Sequence, residues 1–121
     1  MHTKKRLIAT LCCLLLLGIG GLNRATAQSI FGSILGTVKD ASGSVVPNAT
    51  VKLINIDENT SRTLTTNDNG DYEAVNTKPG RYRVEVTASG FQTFTTTEIV
   101  LAARQTIRVD AGLSRTSDRT G

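Results

Sequence analysis

Tryptophan is missing from this 121-residue chain, which also has only one histidine, one methionine, two cysteines and two prolines. Met1, His2, Cys12 and Cys13 all lie near the start, so from Gln28 to Gly121 there is no His, Cys, Met or Trp. An imidazole is the proton shuttle of Ser–His–Asp and Cys–His nucleophile systems, and zinc sites draw mainly on Cys and His. Both chemistries are excluded over that span. A carboxylate pair could still act on a sugar, but tuning two acids needs a deep cleft, and a domain this small has little interior to spare. No catalytic, cofactor-binding or metal-ligating residue is therefore assigned, and the expectation is a chain that is not an enzyme. Without disulfides, burial alone has to offset an ordering cost on the order of 100 kcal/mol for ~94 residues.

What the sequence does have begins with an address. "MHTKKR" places three cationic side chains ahead of the apolar run "LIATLCCLLLLGIGGL", and no charge returns until Arg24, just before "ATAQ". This is the layout of a secretory signal peptide over residues 1–27, with Ala25 and Ala27 framing the cleavage site and Gln28 as the new N-terminus. An uncleaved anchor is the rival reading, since ~17 to 25 residues suffice for a span. The glycine-rich end of the run and its small-residue exit favour cleavage, which leaves no stable membrane span. A lipoprotein is rejected because Cys12 and Cys13 lie mid-run, with Leu11 before Cys12. Export to the periplasm, the outer membrane or the extracellular space follows.

Removing the leader changes the charge. Lys4, Lys5, Arg6 and Arg24 leave with it, so ten Lys and Arg face ten Asp and Glu in the remainder, a net charge of zero. Nucleic acid is excluded as a partner, because its recognition needs a clustered basic face.

The remainder is rich in Thr, Val and Ile, which suit pleated strands better than helices. Turn signals recur at short intervals, at "DASG" 40–43, "NDNG" 67–70, "KPG" 78–80 and "SG" 89–90. Such punctuation predicts an all-β sandwich or barrel, with strands near 33–39, 49–56, 61–66, 71–75, 81–88, 91–100 and 105–113. A tight turn is expected at 102–104. Period two places Ile34, Gly36 and Val38 inward on the first strand, and Ala49, Val51 and Leu53 on the second. Tyr82, Val84, Val86 and Ala88 face inward on the fifth strand, and Ile107, Val109 and Ala111 on the last. Phe91 and Phe94 have opposite parity, so either a bulge separates them or one ring is exposed. The tail 114–121, "SRTSDRTG", has no apolar side chain and is expected to be disordered.

Three ordered motifs point to a family. "GTVKDASGSVVPNATV" fits G-x-V-x-D-x-x-G-x-x-V-P-x-A-x-V, "TNDNGDY" fits T-x-x-x-G-x-Y, and "PGRYRVEVTASGF" fits P-G-x-Y-x-V-x-V-x-A-x-G-F. Together they resemble the carboxypeptidase regulatory-like domain, a similarity that covers about residues 34 to 113. The resemblance implies a single domain over 28–113, a seven-stranded antiparallel β-sandwich of the transthyretin-like (prealbumin-like) kind, often grouped with carbohydrate-binding-like folds. In D-type metallocarboxypeptidases such a domain is an accessory with no zinc ligands, so no activity is inherited. It also resembles the N-terminal extension of TonB-dependent outer-membrane receptors, where it directly follows the signal peptide.

Few surface features suggest a site. "DNGD" 68–71 resembles part of a calcium loop but lacks the remaining ligands, and Asn-Gly is the commonest hairpin signal. "DEN" 57–59 reads as a solvated loop. Asn48 and Asn59 stand in glycosylation sequons that a bacterial chain would not use. "TFTTTE" 93–98 could be an edge strand open to a partner. The function expected is a non-catalytic, exported interaction or structural module with a protein or cell-envelope partner. The alternatives are a carbohydrate-binding module, which the few aromatics disfavour, and the N-terminal fragment of a TonB-dependent receptor.

Overall fold

A computed structural model describes residues 29–118. The signal peptide and cleavage point expected over 1–27 lie outside the described residues, as do residues 119–121 of the tail. Nine strands follow in order: β1 (Gly32–Asp40), β2 (Thr50–Asn55), β3 (Thr60–Thr65), β4 (Asp71–Thr77), β5 (Gly80–Thr87), β6 (Phe94–Thr95), β7 (Ile99–Leu101), β8 (Thr106–Arg108) and β9 (Ala111–Leu113). They form two sheets. One runs β4-β1-β8 with β9 also on β1, and the other runs β3-β2-β5-β6 with β7 also on β5. The all-β sandwich is as expected.

Alternation sorts the side chains. Ile34 and Val38 from the first sheet meet Val51, Leu53, Val84 and Val86 from the second, all at 3% exposure or less. Burial of each such aliphatic side chain is worth roughly 1.5–3 kcal/mol. Gly36, Ala49, Tyr82 and Ala111 are buried where period two placed them, while Ala88, Ile107 and Val109 pack against the core from half-buried positions. Val46, Tyr72, Ala74, Leu101 and Leu113 complete it.

Seven expected strands become nine because the last two are each interrupted by a side chain that takes over a ladder bond. Between β6 and β7, the Val84 amide donates to Thr96 Oγ1 (2.9 Å) while the Thr96 amide donates to Val84 O (2.9 Å). Between β8 and β9, the Thr37 amide donates to Asp110 Oδ1 (2.8 Å) and Tyr72 Oη donates to Val109 O (2.6 Å). The backbone is released at both places and the strand bends. Pairing is antiparallel throughout except that β8 and β9 run parallel to β1. The chain reaches them by crossing from one sheet to the other through the 102–105 turn, closed by the Gln105 amide on Ala102 O (3.2 Å).

Two expectations are corrected. The tail is tied down as far as Thr116: the Gln92 amide donates to Ser114 O (2.7 Å), the Thr116 amide donates to Gly90 O (3.1 Å), and a 3-10 turn follows over Thr116–Asp118. Backbone bonds order a segment whose polar composition suggested disorder. Similarly, "NDNG" is a turn but not a hairpin, because β3 and β4 belong to different sheets.

Candidate interaction surfaces

The tyrosines are spent on the fold. Pro79 and Gly80 turn the chain into β5, and Tyr82 then donates its hydroxyl back to Lys78 O (2.7 Å) while accepting from Asn55 Nδ2 (3.3 Å). A tyrosine bonded a few residues upstream at a sandwich corner pins the turn it spans. Tyr72, 5% exposed, reaches across to Val109 O. Its phenol is pushed up to about 12, mainly by burial and then by the nearby Asp110 charge. Burial also raises Tyr82.

Phe91 and Phe94 are both half-buried against the core. Their opposite parity is resolved by a turn rather than by a bulge within one strand: the Phe91 amide donates to Ala88 O (3.1 Å), Gly90 takes φ 84°, and β6 starts only at Phe94. The Arg115 guanidinium lies 5.5 Å from the Phe91 ring centre, within cation–π range. All four aromatic rings that a sugar could stack on from 72 onward are thus at least partly covered.

The acidic loops are engaged internally. In 67–71, Asn67 Oδ1 accepts from the Asn69 and Asp71 amides (2.9 and 3.0 Å), and Asp71 Oδ1 accepts from Thr37 Oγ1 (2.5 Å). Among the described residues no three His, Cys, Asp or Glu side chains come together as metal ligands. "DEN" is exposed, as a solvated loop should be, and its two acids are paired at the surface. Asp57 accepts from the backbone amide of Arg81 (3.1 Å) and from its Nε (2.7 Å), and Glu58 pairs with Lys78 at 3.6 Å. The guanidinium holds the Asp57 carboxyl below its usual range, and the same bond raises Arg81. Asn48 and Asn59, the two sequon residues, adopt left-handed φ of 58° and 53° at turns.

Edges remain. The segment 93–98 does lie at an edge of the larger sheet, yet β6 has two residues and β7 three, with Thr96 bonded inward between them. Short, bulged edges are poor templates for a partner strand. At the opposite edge β3 runs unbroken for six residues, all but Leu64 exposed. Sequence reasoning missed this edge because Thr60–Thr65 carries no mark of being last in its sheet. Beside it, at the end of the sandwich, opens a cleft of about 250 Å³ lined by Leu53, Asn55, Arg62, Asn76 and Tyr82 among others. Among the described residues every buried side-chain nitrogen and oxygen has a hydrogen-bond partner. No helix among the described residues is long and apolar enough to cross a membrane.

No curated protein sequence matches the chain significantly. Solved structures do resemble it. The Bacillus anthracis TIE protein matches with a TM-score of 0.60 at 21% identity, over 70% of this chain and 16% of that one. A streptococcal ancillary pilin matches at 0.59 and 17%, over 74% and 34% respectively. Catechol 1,2-dioxygenase from Acinetobacter radioresistens matches at 0.59 and 15%, over 79% and 55%. The chain thus spans well under two thirds of each of these proteins, and identities this low establish the shared fold alone. Residues 33–114, which hold both sheets from Ser33 onward, match the model of the carboxypeptidase regulatory-like domain, and the chain belongs to that family.

Proposed function

We infer that the protein is a non-catalytic, exported β-sandwich module that serves protein interaction or structural support in the periplasm or at the outer membrane. The observation that carries this reading is the family match over 33–114, on described residues whose buried side-chain polar atoms all have hydrogen-bond partners. Asp40, Asp57, Tyr72, Arg81, Tyr82 and Asp110, the described side chains with shifted ionisation, are each bonded to the protein itself. Groups arranged for catalysis are instead poised toward a substrate. The fold's neighbours support a modular role, since the same sandwich makes up only 16% of the TIE protein and 34% of the ancillary pilin. Export rests on the charged start, apolar run and Ala25-x-Ala27 exit of the first 27 residues.

Fractionation of cells making the full chain tests the reading. The protein should appear in the envelope or medium with Gln28 as its first residue, and it should be silent against peptide, ester and glycoside substrates. A cytoplasmic protein that keeps Met1, or turnover of any of these substrates, would overturn it.

A further inference from the structure

The two sheets have four edges, and three are closed to strand addition. β6–β7 and β8–β9 are broken, as described above. β4 is guarded from across the sandwich: Arg62 points inward from β3, opposite Leu53, and its guanidinium donates to Val75 O at 2.5 Å. Asp71 and Glu73 also line β4, so a second copy of that strand would bring acid toward acid.

β3 is unbroken, its one charged side chain, Arg62, is turned onto β4, and its hydrogen-bonding direction can be derived. The Thr66 amide donates to Ala49 O (3.0 Å), whereas the Ile56 amide donates to Arg81 O (2.9 Å). Odd residues of β2 therefore bond to β3 and even ones to β5, because the in-plane groups of a strand alternate sides. With Val51 opposite Leu64 and Leu53 opposite Arg62, it is Thr60, Arg62 and Leu64 that bond to β2. The N–H and C=O groups of Ser61, Thr63 and Thr65 point away from the sheet, at regular spacing, on an exposed strand. Their side chains are small, neutral and on the outer face.

We propose that β3 is a dimerisation edge, pairing antiparallel with β3 of a second copy of this chain about a two-fold axis at Thr63. In that register Thr63 faces its own equivalent and Ser61 faces Thr65, giving about six backbone hydrogen bonds. The pattern is self-complementary. Thr–Thr and Ser–Thr pairs are favourable neighbours across strands, and Arg62 falls beside the partner's Leu64, so no like charges meet. Outward from the axis the rows run Thr63, Lys52, Glu85 and Thr65, Thr50, Thr87, which again keeps like charges apart. The zero net charge of residues 28–121 removes long-range repulsion between copies. A joined edge buries little area, which places the dimer in the weak, transient class. The proposal does not depend on what else the module binds.

Sedimentation of the full chain, as processed by its host, should show a monomer–dimer equilibrium between about 10 µM and 1 mM, the range of a small interface. Thr63→Pro removes the central outward N–H without touching the β2 ladder, and Thr63→Lys sets two ammonium groups face to face. Each should weaken association at least about tenfold with an unchanged circular dichroism spectrum. If Pro unfolds the domain, the Lys variant carries the test. Val100→Lys, at the most exposed large apolar side chain on the other edge (64% exposed), should associate as the native protein does. A native protein monomeric at 1 mM, Thr63 variants that dimerise normally, or a dimer lost only in Val100→Lys would each overturn the proposal. So would a monomer whose β3 amides are protected only by an added extended peptide.

Discussion

Gly43 and Gly70 both sit at positive φ, 86° and 75°, yet their surroundings differ. An added Cβ at Gly43 meets nothing within 4 Å, while at Gly70 it would lie 2.8 Å from Val38 O and 3.0 Å from Val45 Cβ. Gly43→Ala should therefore cost only the left-handed backbone term, about 1 kcal/mol, and Gly70→Ala clearly more, about 2–4 kcal/mol. Denaturant melts of the two variants separate strain from crowding. Thr66 makes a second residue-scale case. It is 2% exposed, and its hydroxyl donates to Val46 O (2.7 Å) and accepts from the Ala49 amide (2.8 Å), fastening the 46–49 loop to the end of β3. Thr66→Val keeps the shape and orphans two buried groups, so about 2–4 kcal/mol of stability should be lost. Equal denaturation midpoints for this variant and the native protein would show that water replaces the hydroxyl.

The broken strands are best understood as elements completed by side chains. Thr96→Val removes the acceptor for the Val84 amide, and Asp110→Ala removes the acceptor for the Thr37 amide. Hydrogen exchange should accelerate at Val84 in the first variant and at Thr37 in the second, with little change at Val86 or Val38. Uniform acceleration across β5 or β1 would mean that the whole strand, not one rung, depends on that side chain. The Asp110 carboxyl is held low, first by the Thr37 amide and then by Arg108. A depressed carboxyl stabilises the fold above its unfolded value near 4 and loses that contribution as pH falls through the folded value. Protection at Thr37 should thus persist through pH 4 and fail only in stronger acid. The inward faces of β1, β2 and β5 were legible from period two alone, since Ile34, Val51 and Val84 repeat a local pattern. The interruptions were not, because Thr96 and Asp110 act on amides 12 and 73 residues away.

For the whole molecule, ionisation bounds the stable range from both sides. Asp40, Asp57 and Asp110 are all depressed, Asp40 chiefly by the Ser42 hydroxyl, so stability should decline as pH drops below the usual carboxylate range. Tyr72 works in the other direction. Raised from 10 to about 12 by burial, its neutral form stabilises the fold fully below pH 10, and that contribution disappears between pH 10 and about 12. A shift of this size corresponds to roughly 2–3 kcal/mol. With two tyrosines and no tryptophan, ultraviolet titration reads this directly: tyrosinate should appear late, together with loss of structure. Normal titration near pH 10 in a folded protein would contradict the burial of Tyr72.

The order of residues determined by itself that the domain is all-β, which side chains face inward, and where turns fall. Those properties depend on strand periodicity and on residues such as Gly70, Pro79 and Gly80 whose backbone preferences act locally. Only the tertiary structure decided that β8 and β9 lie parallel to β1, that Ser114–Thr116 is fastened to 90–92, and that β3 rather than 93–98 is the regular open edge. Neighbours in a sheet are chosen by packing between segments far apart in the chain, and a strand's own sequence does not say whether its second side will be covered.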